Sequence, residues 1–451
     1  MITIKVNIKQ LVLFIAVYIL SLPLSAQTKQ WTLEECIRYA IEHNITVKRM
    51  EIQKNTAEVD VNTAQMSRLP NLNASVGPTW NFGRVQSDTG TYKVQNQFST
   101  SFSIGSSIPI FTGFRIPNEI ARNKLVLQAA TENLAKAKDD LSLSVASLFL
   151  QVMFNKELVK ISESQLALSE EQVQRTKILV DAGKVPASQL YDIKAQVAND
   201  RVSLIQAEND LNLALLGLRQ SLELEKEIEF DIFVPDMNNI VEENMSSIQP
   251  VNVIFDNAVQ TKPVVKAQEY MAESAEKALK IAQSGYLPTL NLSLGYGTSY
   301  YYLYIKNFPN RSFLDQLKSK AGQYIGFDLS IPIFNRFSVR NQVRSARFNI
   351  KDQQLALENV KKDLYKEIQT AYLNAVASQA KYTASLDAVA STSEAFRLAQ
   401  ERYEVGKSSV FEFNEARAKL IQSQLQQAQA KYDYIFRAKI LDFYNGIPIK
   451  F

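Results

Sequence analysis

The stretch Val405-Gly406-Lys407-Ser408-Ser409-Val410-Phe411-Glu412-Phe413-Asn414-Glu415 sets two carboxylates three residues apart, a spacing that puts both on one face of a helix. Ser409 stands three residues before Glu412, the Ser-x-x-Glu arrangement that closes the first turn of a helix. A helix cap and an electrostatic role are therefore both open for Glu412. The positions 223 residues earlier are Gln189 and Asp192, of which only the second is acidic. Little else could do chemistry. His43 is the only histidine, so a His-rich metal site is excluded, and the single Cys36 excludes an intramolecular disulfide framework. Met237 and Met245 are too few and too far apart to handle a soft metal. No phosphate-binding Gly loop, nucleophile elbow or zinc-ligand spacing occurs. The chain is expected to use no cofactor and not to be an enzyme.

The elements that carry these residues repeat. Ile108-Pro109-Ile110-Phe111 returns as Ile331-Pro332-Ile333-Phe334, and Leu69-Pro70-Asn71-Leu72-Asn73 as Leu287-Pro288-Thr289-Leu290-Asn291. Ala182-Gly183-Lys184 returns as Val405-Gly406-Lys407, and His43-Asn44-Ile45 has a weaker echo in Lys262-Pro263-Val264. All these offsets lie between 218 and 223 residues, too long for a solenoid unit of about 20–50 residues. The pattern is a tandem duplication of one large unit: residues 27–225, a connector over 226–250, and residues 251–451.

Each unit reads helix, strand, strand, long helix, helix. Thr32 and Glu35 form a capping box that opens a helix running to about residue 68, stopped by Pro70. Strands are expected at about 71–83 and 97–111, then at about 289–304 and 323–334. Long helices follow at about 117–182 and 186–224, and at about 338–405 and 409–444. The longest lack Gly and Pro and would reach about 100 Å at about 1.5 Å per residue. Leu127, Leu134, Leu141 and Leu148 keep a seven-residue step, a coiled-coil seam with Ala130 and Ala137 allowing close approach. Pro70, Pro109, Pro288 and Pro332 mark transitions between strand and helix, because proline cannot continue a central ladder.

The four strands alternate strictly. Val76 and Trp80, Phe102 and Ile104, Leu292 and Leu294, and Ile325 and Phe327 fall on apolar faces; small and hydroxylated residues such as Ser75, Ser103 and Ser293 fall on the other. Their length suits a tilted bilayer crossing of about 9–11 residues, and aromatics such as Tyr300-Tyr301-Tyr302 suit an interfacial girdle. An ordinary half-buried sheet packed on helices would also alternate. Residues 84–97 and 305–323 connect paired strands, and Asp88, Gly90, Asn310 and Arg311 fit water there.

Composition sets the compartment. The net charge of +4, from 50 basic and 46 acidic residues, is too balanced for a nucleic-acid binder. Lys5 and Lys9 precede an apolar run from Leu11 to Leu20, and a cleavage site follows Ala26; residues 1–26 read as a signal peptide, the alternative being a membrane anchor. The residue immediately after the cleavage site is Gln27 and Cys36 lies inside the next helical pattern, so N-terminal lipidation is not expected. Nothing beyond residue 26 reads as a transmembrane helix, which leaves strands as the means of insertion. Four strands are too few to close a barrel, which needs about eight, so several copies must pool theirs.

Two copies of helix–strand–strand–helix–helix, the L-P-x-L entry, the I-P-I-F exit, the Gly-centred tips and Arg402-Tyr403-Glu404-Val405-Gly406 together resemble the TolC-type outer-membrane efflux family over essentially the whole mature chain. That resemblance implies a mostly α protein with a membrane β-barrel, a homotrimer pooling twelve strands in the outer membrane above a long α-helical tunnel in the periplasm, with residues 226–250 as an equatorial connector. It implies a passive exit duct for a tripartite efflux or secretion system, with a periplasmic adaptor, an inner-membrane pump of the RND or ABC type and outer-membrane lipid as partners.

The resemblance also implies roles for particular residues. Glu412 and Glu415 fall where the family lines its periplasmic constriction, with Gln189 and Asp192 as first-tip counterparts; in a trimer they would form carboxylate rings that attract cations. Tyr403 matches a tyrosine that helps hold the tip closed. Gly183, Lys184, Gly406 and Lys407 would form the adaptor-contact tips, although a Gly there also needs no more than a helix C-cap role. The family's arginine two residues after the second-tip Gly is Ser408 here, which puts the usual closing network in doubt and leaves Arg402 or Lys407 as substitutes. A different class stays open beside the channel: a periplasmic coiled-coil scaffold or adhesion protein without a pore.

Overall fold

The structure, a computed structural model, describes residues 30–86, 91–225, 230–235 and 249–449. The expected signal peptide, most of the connector with Met237 and Met245, and the loop residues Asp88 and Gly90 lie outside them. The chain forms two compact units: Met1–Lys48, Ala137–Ala258 and Tyr365–Phe451 in one, Arg49–Lys136 and Val259–Leu364 in the other. Among the described residues no helix is long and apolar enough to cross a membrane.

Both units contain helices. Helix α1 (Leu33–His43) opens with the Thr32–Glu35 capping box expected from the sequence. The single helix expected to run to about residue 68 is broken at Asn44, whose backbone is extended and whose side-chain oxygen caps the Thr46 amide at 2.8 Å. Helix α2 (Ile45–Met66) starts there. The long α3 (Arg115–Asp181) is followed by α4 (Ala187–Ser221); in the second half α5 (Val251–Thr261) and α6 (Pro263–Ser284) again break at the Lys262-Pro263 echo. The core gathers Leu33 and Cys36 of α1, Val145, Phe149, Val152 and Met153 of α3, and Leu218 of α4. Tyr434 and Ile435 of the final helix α9 (Val410–Tyr444) complete it. Leu141 and Leu148 of the expected seam only flank that core. Strands β1 (Gln30–Trp31) and β6 (Asp231–Ile232) pair in parallel beside it.

The second unit contains a four-stranded antiparallel sheet in the order β2 (Asn73–Asn81), β5 (Gln97–Phe111), β7 (Thr289–Leu303), β8 (Gly322–Ser330). The register joins like faces. Val76 pairs with Phe102 and Trp80 with Phe98; Ile104 faces Tyr296, Ile108 faces Leu292, and Leu292 faces Phe327. The other face carries Ser75 against Ser103, their hydroxyls 2.7 Å apart. The apolar face is open: Val76, Ile325 and Phe327 are 63, 75 and 72% exposed. An ordinary half-buried sheet would have helices covering that face; bare, it suits hydrocarbon. A small hairpin of β3 (Arg84–Gln86) and β4 (Tyr92–Val94) lies between β2 and β5.

The repeated Ile-Pro-Ile-Phe motifs end in the same backbone figure. Strand β5 runs through Pro109 to Phe111, with a register shift between Pro109 and Phe111, whereas β8 stops at Ser330 before Pro332. Each motif then enters two successive left-handed residues, Gly113-Phe114 and Arg336-Phe337, before α3 and α8 (Ser338–Glu404). Each places an edge-on phenylalanine pair there, Phe111 with Phe114 and Phe334 with Phe337. Three of these four left-handed residues carry a side chain, a conformation that costs roughly 1–2 kcal/mol each.

The connector over 305–323 is more ordered than a solvated loop. It holds helix α7 (Phe313–Ser319), whose Phe313 packs on Tyr300 at 5.0 Å. Strand β8 pairs with β7 only as far as Gly297. Beyond it, the Gln316 carboxamide accepts from the Tyr301 amide and donates to its carbonyl, and Asn310 does the same for Leu303. Two side chains thus replace a missing strand on a backbone that apolar surroundings would leave unsatisfied.

Candidate functional site

The candidate gate and tip residues all lie in the first unit. Helix α3 ends at Gly183 and α8 at Gly406, both left-handed with φ of +68° and +73°. The closures are the same. Gly183 N–H donates to Val180 and Lys184 N–H to Leu179; Gly406 N–H donates to Tyr403 and Lys407 N–H to Arg402. This is the Schellman arrangement, which satisfies the last carbonyls of a helix. A Cβ at either glycine would meet nothing within 4 Å, so backbone conformation, not space, requires glycine there. Lys184 and Lys407 are exposed beside them.

The second tip caps its following helix more firmly than the first. Ser409 accepts from the Glu412 amide at 3.2 Å, whereas Pro186 caps α4 without a side-chain bond. The expected capping box is only half formed. Instead of reaching back to Ser409 N–H, the Glu412 carboxylate accepts from the Ser408 hydroxyl at 2.6 Å, so Ser408 holds this acid. Glu415 accepts from Lys419 one turn on, at 2.7 Å in an exposed pair. Gln189 is half-buried and Asp192 exposed. Among the described residues no hydrogen bond or ion pair joins either of them to Glu412 or Glu415. Tyr403 is half-buried with its ring stacked on Phe413 at 5.0 Å, and its hydroxyl has no hydrogen-bond partner among the described residues. Arg402 and Lys407 likewise pair with no acid among the described residues.

Two contacts near the tips escaped the sequence reading. Arg175 of α3 binds Glu404 of α8 at 2.7 Å, and this bond holds the Glu404 carboxyl below the ordinary glutamate range. More consequential is Arg417 of α9, one turn beyond Phe413 and 4% exposed. It binds Asp200 of α4 at 2.7 Å and the Gln165 carbonyl of α3 at 2.9 Å. Asp200, 8% exposed, also accepts from Ser169 and from Gln196. Three helices meet on one buried, hydrogen-bonded charge pair. The residues 223 positions after Ser169 and Asp200 are Thr392 and Ser423, whose hydroxyls bond at 2.7 Å. The same seam is charged in one half and neutral in the other. The available signal was Arg417 lying four residues after Phe413 and three before Leu420, on the stripe that both bury.

Among the described residues no group of three or more His, Cys, Asp or Glu could hold a metal ion. The geometry is that of two glycine-closed hairpin turns, of which only the second is followed by a helix with an acidic first turn; an exposed ion pair and a buried one tie the helices farther along.

The chain is similar to the outer membrane protein TolC of Escherichia coli (strain K12), 23% identical over 401 residues that span 85% of this chain and 77% of that protein. Among solved structures it is similar to the outer membrane protein VceC from Vibrio cholerae, with a TM-score of 0.73 at 16% identity over 92% of this chain and 96% of that one. The CmeC outer membrane channel of Campylobacter jejuni gives a TM-score of 0.72 at 16% identity, covering 95% and 91%. The sequence model of the outer membrane efflux proteins matches twice, over residues 36–223 and again over 254–443. With most of its length taken up by that doubled match, and with a sheet whose apolar face lies bare, the chain belongs to the outer membrane efflux protein family and is an outer-membrane efflux channel.

Proposed function

We propose that three copies of this chain pool their sheets into one twelve-stranded barrel, with the long helices forming a periplasmic tunnel below it. The observation that carries this reading is the pair of open edges. Strands β2 and β8 are the outer members of the sheet and expose an apolar face, and an unpaired edge in hydrocarbon costs several kcal/mol per unsatisfied group. Pairing β2 of one copy with β8 of the next removes every edge. A scaffold without a pore would leave this apolar sheet bare in water.

The channel acts as a passive exit duct for a tripartite efflux or secretion system, with energy supplied by an inner-membrane pump. The tips at Gly183-Lys184 and Gly406-Lys407 offer exposed turns to a periplasmic adaptor. Glu412 and Glu415 line the constriction, with Gln189, Asp192 and Tyr403 beside them. Support for the gate comes from the exposed position of both glutamates and from weak restraint. The exposed Glu415–Lys419 pair is worth about 0.3–0.5 kcal/mol, which leaves Glu415 free to answer a partner. The test is the molar mass of the folded protein in detergent, corrected for bound detergent. A mass of three chains is expected; a monomer overturns the pooled barrel.

A further inference from the structure

The helical end of the second unit carries an unassigned groove. It lies where β5 enters α3, where α6 hands over to β7, and against the first turns of α8; its volume is about 1070 Å³. Four cations line it: Lys280 at the end of α6, and Arg340, Arg344 and Arg347 of α8. The three arginines follow the spacing i, i+4, i+7 and so share one helix face. Among the described residues Lys280, Arg344 and Arg347 form no ion pair, and Arg340 stacks over Phe337 at 5.6 Å. Unpaired cations this close together repel one another, and an anion relieves that repulsion. The remaining lining is partly apolar, with Phe114 60% and Leu287 39% exposed, and includes the exposed Tyr286.

Position names the anion. The groove begins within a few residues of the strand ends, next to the exposed Ile110 of β5. Such a level faces the phosphates of a bilayer leaflet, where arginine stems lie along apolar surface and their guanidinium groups bind phosphate in a forked pair of hydrogen bonds. Aromatic side chains favour the same depth.

We infer that this groove binds the headgroup of an anionic phospholipid from the leaflet adjoining the helices, with Lys280, Arg344 and Arg347 holding the phosphate and Phe114, Tyr286 and Leu287 flanking the first acyl carbons. The inference rests on the sheet being embedded in a bilayer and not on the gate.

The test uses the full chain in mixed micelles containing phosphatidylglycerol or phosphatidylcholine at equal mole fraction. Native mass spectrometry counts the lipids retained, and the same spectrum reports the number of chains, so failure of strand pooling is read separately. Phosphatidylglycerol is expected to be retained preferentially. Each cation removed should weaken its retention roughly fivefold, so R344Q/R347Q loses roughly 25-fold while R344K retains most of it. Far-UV circular dichroism checks that the variants are folded. Equal retention of the two lipids, or native-like phosphatidylglycerol retention by R344Q/R347Q, overturns the inference. So does displacement of the lipid by millimolar inorganic phosphate, which would mark a site for a free anion. A reduced chain number in R344Q/R347Q with lipid retention unchanged would identify a second copy as the occupant and overturn it equally.

Discussion

Replacing Arg417 with leucine removes the cation from a site where Asp200 is 8% exposed and keeps Ser169 and Gln196 as donors. Breaking a buried pair from one side costs about 3–5 kcal/mol, because the remaining charge stays desolvated. Replacing both partners by apolar residues is often neutral, so R417L/D200L should recover most of that loss. The two changes are then strongly coupled, and a double-mutant cycle measures the coupling. Arg417 joins α9 to α3 and α4, so the cost falls on local opening of the hairpins and not on the sheet. Hydrogen exchange followed by mass spectrometry on the detergent-solubilised protein is the assay, with the α6 peptides as an internal reference. Amides of residues 413–420 should exchange about 140- to 3,700-fold faster in R417L, at tenfold per 1.4 kcal/mol. They should return to within about tenfold of native in the double variant. A less than threefold change in R417L, or a double variant as labile as the single one, would refute the argument that this buried pair fastens the three helices.

Neutralising both gate acids in E412Q/E415Q is expected to reduce cation preference in a planar bilayer, read as a shift of reversal potential in a salt gradient; an unshifted potential removes the pair from the constriction. Gly406→Ala forces a side chain into φ of +73° without any clash and should cost about 1–2 kcal/mol, seen as faster exchange confined to the last turn of α8. Protection equal to native would show that the turn relaxes without strain. The Arg175–Glu404 contact should show a definite acid dependence. Because the bond lowers the folded-state pKa of Glu404, its contribution is present above the ordinary glutamate value of about 4.3 and is lost as the pH falls through the lowered one. Peptides containing residues 400–404 should lose protection in that acid window, and R175Q should abolish the step; an identical step in R175Q assigns it to another carboxyl.

The apolar alternation of the strands was legible because a bilayer inverts the usual rule. Val76, Ile104, Ile325 and Phe327 point outward, and helix α7 covers only the part of that face around Phe102 and Tyr300, so the period of two survives. The tip glycines were legible for a similarly local reason, since a helix that ends in a left-handed residue calls for one. The break at Asn44 was written in a capping residue inside an otherwise helical run, but an asparagine there competes with tertiary effects that periodicity does not weigh. The leucine step of α3 named a face adjacent to the one that packs. Val145, Phe149 and Val152 fill the core while Leu141 and Leu148 only flank it, and a single helix pattern carries no information about which of two neighbouring apolar faces meets its own chain.

Arg417 and Gln316 show where reading by residue type fails. A lone arginine on a helix and a glutamine in a connector both read as solvated. Arg417 is buried because its position lies between Phe413 and Leu420 on one stripe, and it is tolerated there because Asp200, more than two hundred residues earlier, arrives at the same point. Gln316 is 2% exposed because β7 has 15 residues and β8 has 9. The unpaired end of β7 needs a donor and an acceptor at alternate residues, and a carboxamide supplies both at once. That need arises from a difference in length between two strands, not from any property of the segment that meets it. Gln316 and Asn310 are therefore placed by the backbone they satisfy, while Arg311 of the same connector stays in water as its type suggests.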